Sequence, residues 1–108
     1  MRFVEKALEK MESNNKKFIS IENISDIKGL APIVKFTIQS DPIKEVGVNG
    51  CQAQDLLEYV TCLFESLNEA FSCNENEETI AHLKEAIFWQ NERTRDRELR
   101  QVEGLNKI

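Results

Sequence analysis

Four side chains near the C-terminus stand out for what they could do together. Trp89, Arg93, Arg97 and Arg100 follow the spacing i, i+4, i+8 and i+11, which on a helix is one stripe. An indole ring beside guanidinium groups can stack on a nucleobase and grip phosphate oxygens. The pattern also fits a solvated helix in which Glu92, Asp96 and Glu98 pair the arginines along the chain. From periodicity alone, that plainer reading is the commoner one. The choice of arginine weighs against it. Outside residues 90–100 the chain has nine lysines and a lone arginine, Arg2, yet this segment is all arginine. Arginine is the bidentate reader of phosphate.

Other groupings are weaker. Phe71 with Asn74 and Asn76 could stack on a purine and bond its edge, but from the residues alone a hydrophobic plug and a polar turn is the commoner reading. Gly47-Val48-Asn49-Gly50 precedes a helical pattern, where glycines can cradle a phosphate. It lacks the Lys-Ser/Thr of a phosphate-binding loop, so a turn is the simpler reading. Cys51, Cys62 and Cys73 are spaced eleven apart, which along a helix would place them on one stripe. That is not zinc spacing, and His82 is the sole histidine; buried free thiols are expected, with no metal and no cofactor. No Cys–His dyad has a supporting flank, and no carboxylate pair stands out for acid–base work. The chain reads as a binding protein without a catalytic set.

Composition agrees. With 41% hydrophobic and 31% charged residues, the chain is suited to a folded core and not to disorder. A net charge of −5 and a pI near 4.9 argue against general DNA or RNA binding. One arginine cluster in an acidic chain points to a local anion site. No apolar run approaches a membrane span. The first ten residues mix charges of both signs through their apolar positions, unlike a signal peptide, so a cytoplasmic protein is expected. The 108 residues make one small domain with a modest core, and oligomerisation would supplement it.

The positioning elements follow from periodicity. Residues 3–12 read as a short helix with Val4, Ala7, Leu8 and Met11 on one face, broken at Ser13–Asn15. Residues 18–24 are β-rich, Asp26–Gly29 reads as a turn, and 33–39 is the clearest strand, with Val34, Phe36 and Ile38 alternating against polar neighbours. After Asp41-Pro42, Ile43–Val48 is expected to pair back as a third strand. From Ala53, Leu56, Val60, Leu63, Leu67 and Ala70 follow helical spacing, while Leu57, Phe64 and Phe71 repeat every seven. That apolar surface is wider than one partner needs. Asn74–Glu78 carries no apolar residue and reads as a turn. A second helix is expected from near Thr79, with Ile80, Leu83 and Ile87 inward and Phe88 and Trp89 widening that face. Gln90–Gln101 is polar but free of Gly and Pro, so the helix continues towards Gly104. The expected class is α+β: a short N-terminal helix, a small antiparallel sheet of about three strands, then a C-terminal antiparallel helical hairpin. It forms a single domain, 1–108, with residues 1–50 as the helix-and-sheet part and 51–104 as the hairpin. The polar extension of the second helix must project, bind something, or pack on another copy.

Several of these segments resemble one family. Asp41–Gln52 is similar to the strand-to-helix entry of small phage and prophage proteins. Phe71–Asn76, Glu85–Trp89, and Arg93–Glu98 with Val102–Gly104 are similar to their helical hairpin. These are the anti-Thoeris nucleotide sponges and their relatives, the anti-CBASS sponges, and the resemblance covers about residues 33–104. The helix and strand before the hairpin suit the anti-Thoeris branch. The resemblance implies a phage-encoded decoy, acting in the cytoplasm of the infected bacterium. It would bind a glycosidic cyclic ADP-ribose signal and hold it intact. It also implies homodimers that assemble to hexamers, and cyclic di- or trinucleotides as alternative or additional ligands. Carried onto this chain, Asn76, Arg93 and Arg97 match the polar ligand-facing positions, and Phe71 and Trp89 the aromatic ones. Arg93 and Arg97 would hold the pyrophosphate, Phe71 or Trp89 would stack on adenine, and Asn76 would read a base or ribose edge. The chain departs at Asn74, where relatives often carry Arg, and at Gln101, where they carry Gly. The first bears on the secondary cyclic-nucleotide site and the second on how the C-terminus turns.

Overall fold

The computed structural model describes residues 3–23 and 29–102, with side chains through Arg100. The expected turn at Asp26–Gly29 falls largely, and the stop at Gly104 wholly, outside the described residues. The first helix, α1, spans Phe3–Lys10. Ala7 and Met11, on its apolar face, are fully buried. A 3-10 turn at Lys16–Phe18 leads into β1, Ile19–Glu22, which pairs antiparallel with β2, Ile33–Phe36. Ile19 faces Phe36 and Ile21 faces Val34 on the inner side, while Ser20 and Lys35 face outwards. This is the alternation a half-buried sheet requires. The sheet has two strands and not three.

The missing third strand has a physical cause. Pro42 lacks an N–H for a ladder, and Asp41 sits at a φ of 62°. Ile43–Val46 instead forms a single helical turn, α2, whose amides bond back to the carbonyls of Pro42 and Ile43. Gly47, at a φ of 75°, ends it. The chain then returns to β2's extension: the Cys51 N–H donates to the Thr37 carbonyl at 2.6 Å, and the Gln39 N–H to the Cys51 carbonyl at 2.8 Å. This parallel bridge, Ile38 to Cys51, closes residues 40–49 into a loop. The approach depends on Gly50, where a Cβ would lie 2.5 Å from the Ile38 carbonyl carbon and 2.6 Å from the Gln39 nitrogen.

Helix α3, Ala53–Ala70, starts at once. Asp55 is buried at its first turn and accepts three hydrogen bonds: from the Gln52 N–H at 2.7 Å, the Ser13 hydroxyl at 2.5 Å and the Asn15 amide at 2.9 Å. One turn on, Glu58 accepts the N–H groups of Glu12 and Ser13. Two carboxylates thus bind the connection after α1 to the start of α3. The core lies among α1, the sheet and α3: Ala7, Met11, Ile19, Cys51, Tyr59 and Cys62 are buried together, with Phe36 edge-on to Tyr59. The Tyr59 hydroxyl donates to the Val4 carbonyl at 3.1 Å. Lys10 bonds Glu69 at the far end of α3.

Helix α4 spans Asn74–Val102. The expected turn at Asn74–Glu78 is its first turn, and the real turn is Phe71–Cys73. Acidic residues suit a helix N-terminus because its free N–H groups carry partial positive charge, and the Cys73 sulfur accepts the Asn76 N–H. Ile80, Leu83 and Ile87 lie half-buried against α3, and Lys84 pairs Glu65 across the hairpin. Phe88 and Trp89 do not widen that face; they are exposed, edge-to-face with each other. Leu56, Val60, Leu63 and Leu67 keep a partly uncovered apolar stripe on α3, Val60 being the most exposed at 38%. The cysteines share no helix stripe: Cys51 precedes α3, Cys62 is inside it, and Cys73 sits in the turn and is exposed, not buried.

Two outcomes follow from this packing. Gly50→Ala should lower unfolding free energy by at least about 2 kcal/mol in denaturant titrations, because the methyl has only backbone to displace. Burial raises the Cys62 thiol to about 11, with Glu65 assisting, and burial also raises Cys51. A thiol reagent at pH 8 should therefore label Cys73 alone in the native protein, and Cys51 and Cys62 only after denaturation.

Candidate functional site

Hairpin geometry sets where the arginines stand. Gln54, at the start of α3, hydrogen-bonds Asn91 on α4, so the helices run side by side only that far. The rest of α4, to Val102, extends about 16 Å past the start of α3 at 1.5 Å per residue. Its flank there meets the returning loop instead. Between them lies a cleft of about 720 Å³, within the usual size of small-molecule sites. Ile38, Gln39, Asp41, Pro42, Ile43 and Lys44 line it from the loop side, and Thr94, Arg97 and Glu98 from α4, with Cys51–Ala53 between. The lining carries two cations, Lys44 and Arg97, and two carboxylates, Asp41 and Glu98, around apolar Ile38, Pro42 and Ile43. Apolar side chains with a few charged groups are the usual lining of a small-molecule site.

The arginines divide into two pairs. Arg95 bonds Glu92 at 2.9 Å and Arg100 bonds Asp96 at 3.1 Å, both along the helix. These are the intrahelical pairs of the plainer reading. Among the described residues, neither Arg93 nor Arg97 has an ion-pair partner. Arg97 is half-buried in the cleft, while Arg93 and Trp89 are exposed on the adjoining face of α4. These three side chains form one group.

Phe71 and Asn76 form another, at the opposite end. Phe71 is 70% exposed, with the ring of Phe3 edge-on at 6.4 Å. The Asn76 amide donates to the Phe71 carbonyl at 3.3 Å, pinning the turn. Asn76 and Arg97 are 21 residues apart on one continuous helix, about 31 Å along the axis. No single nucleotide bridges that span within one chain.

The loop wall of the cleft was not legible as a site. Pro42 and the glycines mark a loop in the sequence, but no local pattern says that it faces α4. Among the described residues, no group of three or more His, Cys, Asp and Glu side chains could hold a metal ion. His82 is exposed on α4. No described helix is long and apolar enough to cross a membrane.

Comparison with known proteins covers the same segments. The family described as "Acb2/Tad1, hairpin domain" matches residues 31–95, from β2 through the arginines at 93 and 95. "Thoeris anti-defense 1" of Bacillus phage SBSphiJ7 is 40% identical over 85 residues, which is 78% of this chain and 58% of that protein. The chain thus spans under two thirds of that curated relative's length. No solved structure matches significantly. The cleft, the hairpin and the arginine-bearing end of α4 all lie within or directly beside the matched residues, and the chain belongs to the Acb2/Tad1 hairpin-domain family.

Proposed function

We propose that this protein is a phage anti-Thoeris sponge. It binds a glycosidic cyclic ADP-ribose signal in the cytoplasm of the infected bacterium and holds it without cleaving it. The observation that carries the reading is Arg97 in the cleft beside Arg93, both without carboxylate partners among the described residues, while their neighbours Arg95 and Arg100 are paired. A pyrophosphate supplies the missing counter-charge. The kinship with an anti-Thoeris protein agrees. Trp89 stacks on the base beside the pyrophosphate.

Enclosure comes from a second copy. Phe71 and Asn76 lie too far from Arg93 and Arg97 to serve one ligand within a chain. An antiparallel homodimer brings the turn of one hairpin to the arginines of the other, and the half-covered stripe Leu56–Val60–Leu63–Leu67 forms its seam. Dimers then assemble to a hexamer. The second reading, capture of cyclic di- or trinucleotides, draws on the same separation: Phe71 and Asn76 then form a site of their own.

Calorimetry against the glycosidic cyclic ADP-ribose isomer tests the reading. Wild type should bind with nanomolar affinity, about −12 kcal/mol. Arg93→Ala/Arg97→Ala should bind at least about 100-fold more weakly, since two charge-assisted contacts are lost. Heat-denatured complex should release the ligand unchanged on chromatography; a cleaved ligand would show an enzyme. Binding of cyclic di- or trinucleotides alone would select the second reading. Val60→Glu should give a monomer by light scattering with helical content unchanged, because Val60 is exposed in the single chain.

A further inference from the structure

The loop wall of the cleft is held by two side chains. Gln39 stands where the loop leaves β2's extension, and Asn49 where it returns. The Gln39 amide nitrogen donates to the Gly47 carbonyl at 2.9 Å, to Asp41 at 3.2 Å and to Ser40 at 3.3 Å. Its amide oxygen accepts the Asn49 N–H at 2.9 Å. Asn49 reciprocates on the other strand of the loop: its amide oxygen accepts the Ser40 N–H at 3.0 Å, and its amide nitrogen donates to the Ser40 hydroxyl at 3.2 Å.

Between those two side chains the segment carries the single helical turn of α2, and the Ile38–Cys51 bridge closes its base. Every residue from Ser40 to Asn49 is exposed, so no apolar burial fixes the loop's shape. Two of its residues, Asp41 and Gly47, have positive φ, at 62° and 75°. Glycine adopts it freely, but at Asp41 it persists only where surrounding bonds impose it. Yet this loop carries Pro42, Ile43 and Lys44, which face Arg97 across the cleft. Both amide side chains are uncharged, so the clamp does not titrate and makes no ion pair with Arg97.

We propose that Gln39 and Asn49 are positioning residues. Their reciprocal amide clamp holds the 40–49 loop as a preformed wall opposite Arg97, so that capture of the nucleotide does not have to order the loop. Preorganisation of this kind strengthens binding by removing an ordering cost. The inference rests on the nucleotide reading of the cleft.

The test uses the full chain, with Gln39→Met and Asn49→Ala. Met keeps the volume of Gln but none of its bonds. Three measurements are made: calorimetry with the glycosidic cyclic ADP-ribose isomer, thermal melting, and amide hydrogen exchange of residues 40–49 with and without that ligand. Each variant should bind about tenfold more weakly, as expected for losing several modest hydrogen bonds. The melting midpoint should stay near that of wild type. Loop exchange should be faster in the free variants and should slow again when ligand is added, a recovery that a purely structural role would not produce. Unchanged affinity in both variants, or loop exchange indifferent to ligand, would overturn the clamp while the nucleotide reading stands. Loss of helical signal in both would make the amides folding determinants and overturn it too. A wild type that binds neither this isomer nor cyclic di- and trinucleotides would overturn both.

Discussion

The closure at Gly50 is the constraint on which the rest of this molecule depends. Two backbone hydrogen bonds between Thr37–Gln39 and Cys51 bring the chain back to the sheet after a ten-residue excursion. They form only because Gly50 lacks a Cβ, which would collide with the backbone of Thr37–Gln39. The same closure does three things. It completes the loop that walls the cleft. It places Gln52 and Asp55 so that α3 starts beside the connection after α1. It therefore sets the direction of the hairpin, and with it the reach of α4 past the cleft.

Charge is distributed with a similar economy. The protein is acidic overall, yet its carboxylates are not spread evenly around the arginine segment. Glu92 and Asp96 pair with Arg95 and Arg100, and leave Arg93 and Arg97, one turn apart on α4, without a carboxylate partner among the described residues. Exposed pairs of this type add little stability. Their effect is to narrow the cationic surface from four arginines to two on adjoining faces. A broad cationic track would attract nucleic acid by counterion release; a pair of guanidinium groups beside a small cleft suits a compact anion.

Much of the fold was legible because its signals are local. The apolar spacing of Val4, Ala7, Leu8 and Met11 marks α1, and the alternation of Val34 and Phe36 marks β2. The helical periods of 53–70 and 80–89 mark the hairpin. What was not legible depends on non-local partners or on terminal effects. Ile43–Val46 has strand-like residues but no strand beside it, and Pro42 and Gly47 bound it as one helical turn. Asn74–Glu78 looks like a linker because it has no apolar residue, yet a helix N-terminus favours those acidic side chains. Tyr59, Cys62 and Ser66 are the most buried face of α3, because α1 and the sheet cover that side, while α4 covers a second face and leaves Leu56, Val60, Leu63 and Leu67 only partly covered. The arginine stripe was legible from spacing. Which arginines are paired was not, and neither was the cleft, since its two walls are joined by about 50 residues of intervening chain.

The two groups of proposed binding residues pose a geometric problem that the fold itself helps to resolve. One continuous helix places Asn76 and Arg97 about 31 Å apart along its axis. A single chain therefore presents an aromatic turn at one end and a guanidinium pair at the other. Antiparallel association of identical hairpins is the arrangement that superposes the two ends without deforming either, and a two-fold axis produces two such composite sites at once. The half-covered stripe on α3 lies along the hairpin between the two ends, where such an axis would pass. On this reading the modest core of a small chain and the need to enclose a ligand have a common solution: the apolar surface left over after α1 and the sheet are packed is what draws the second copy into place.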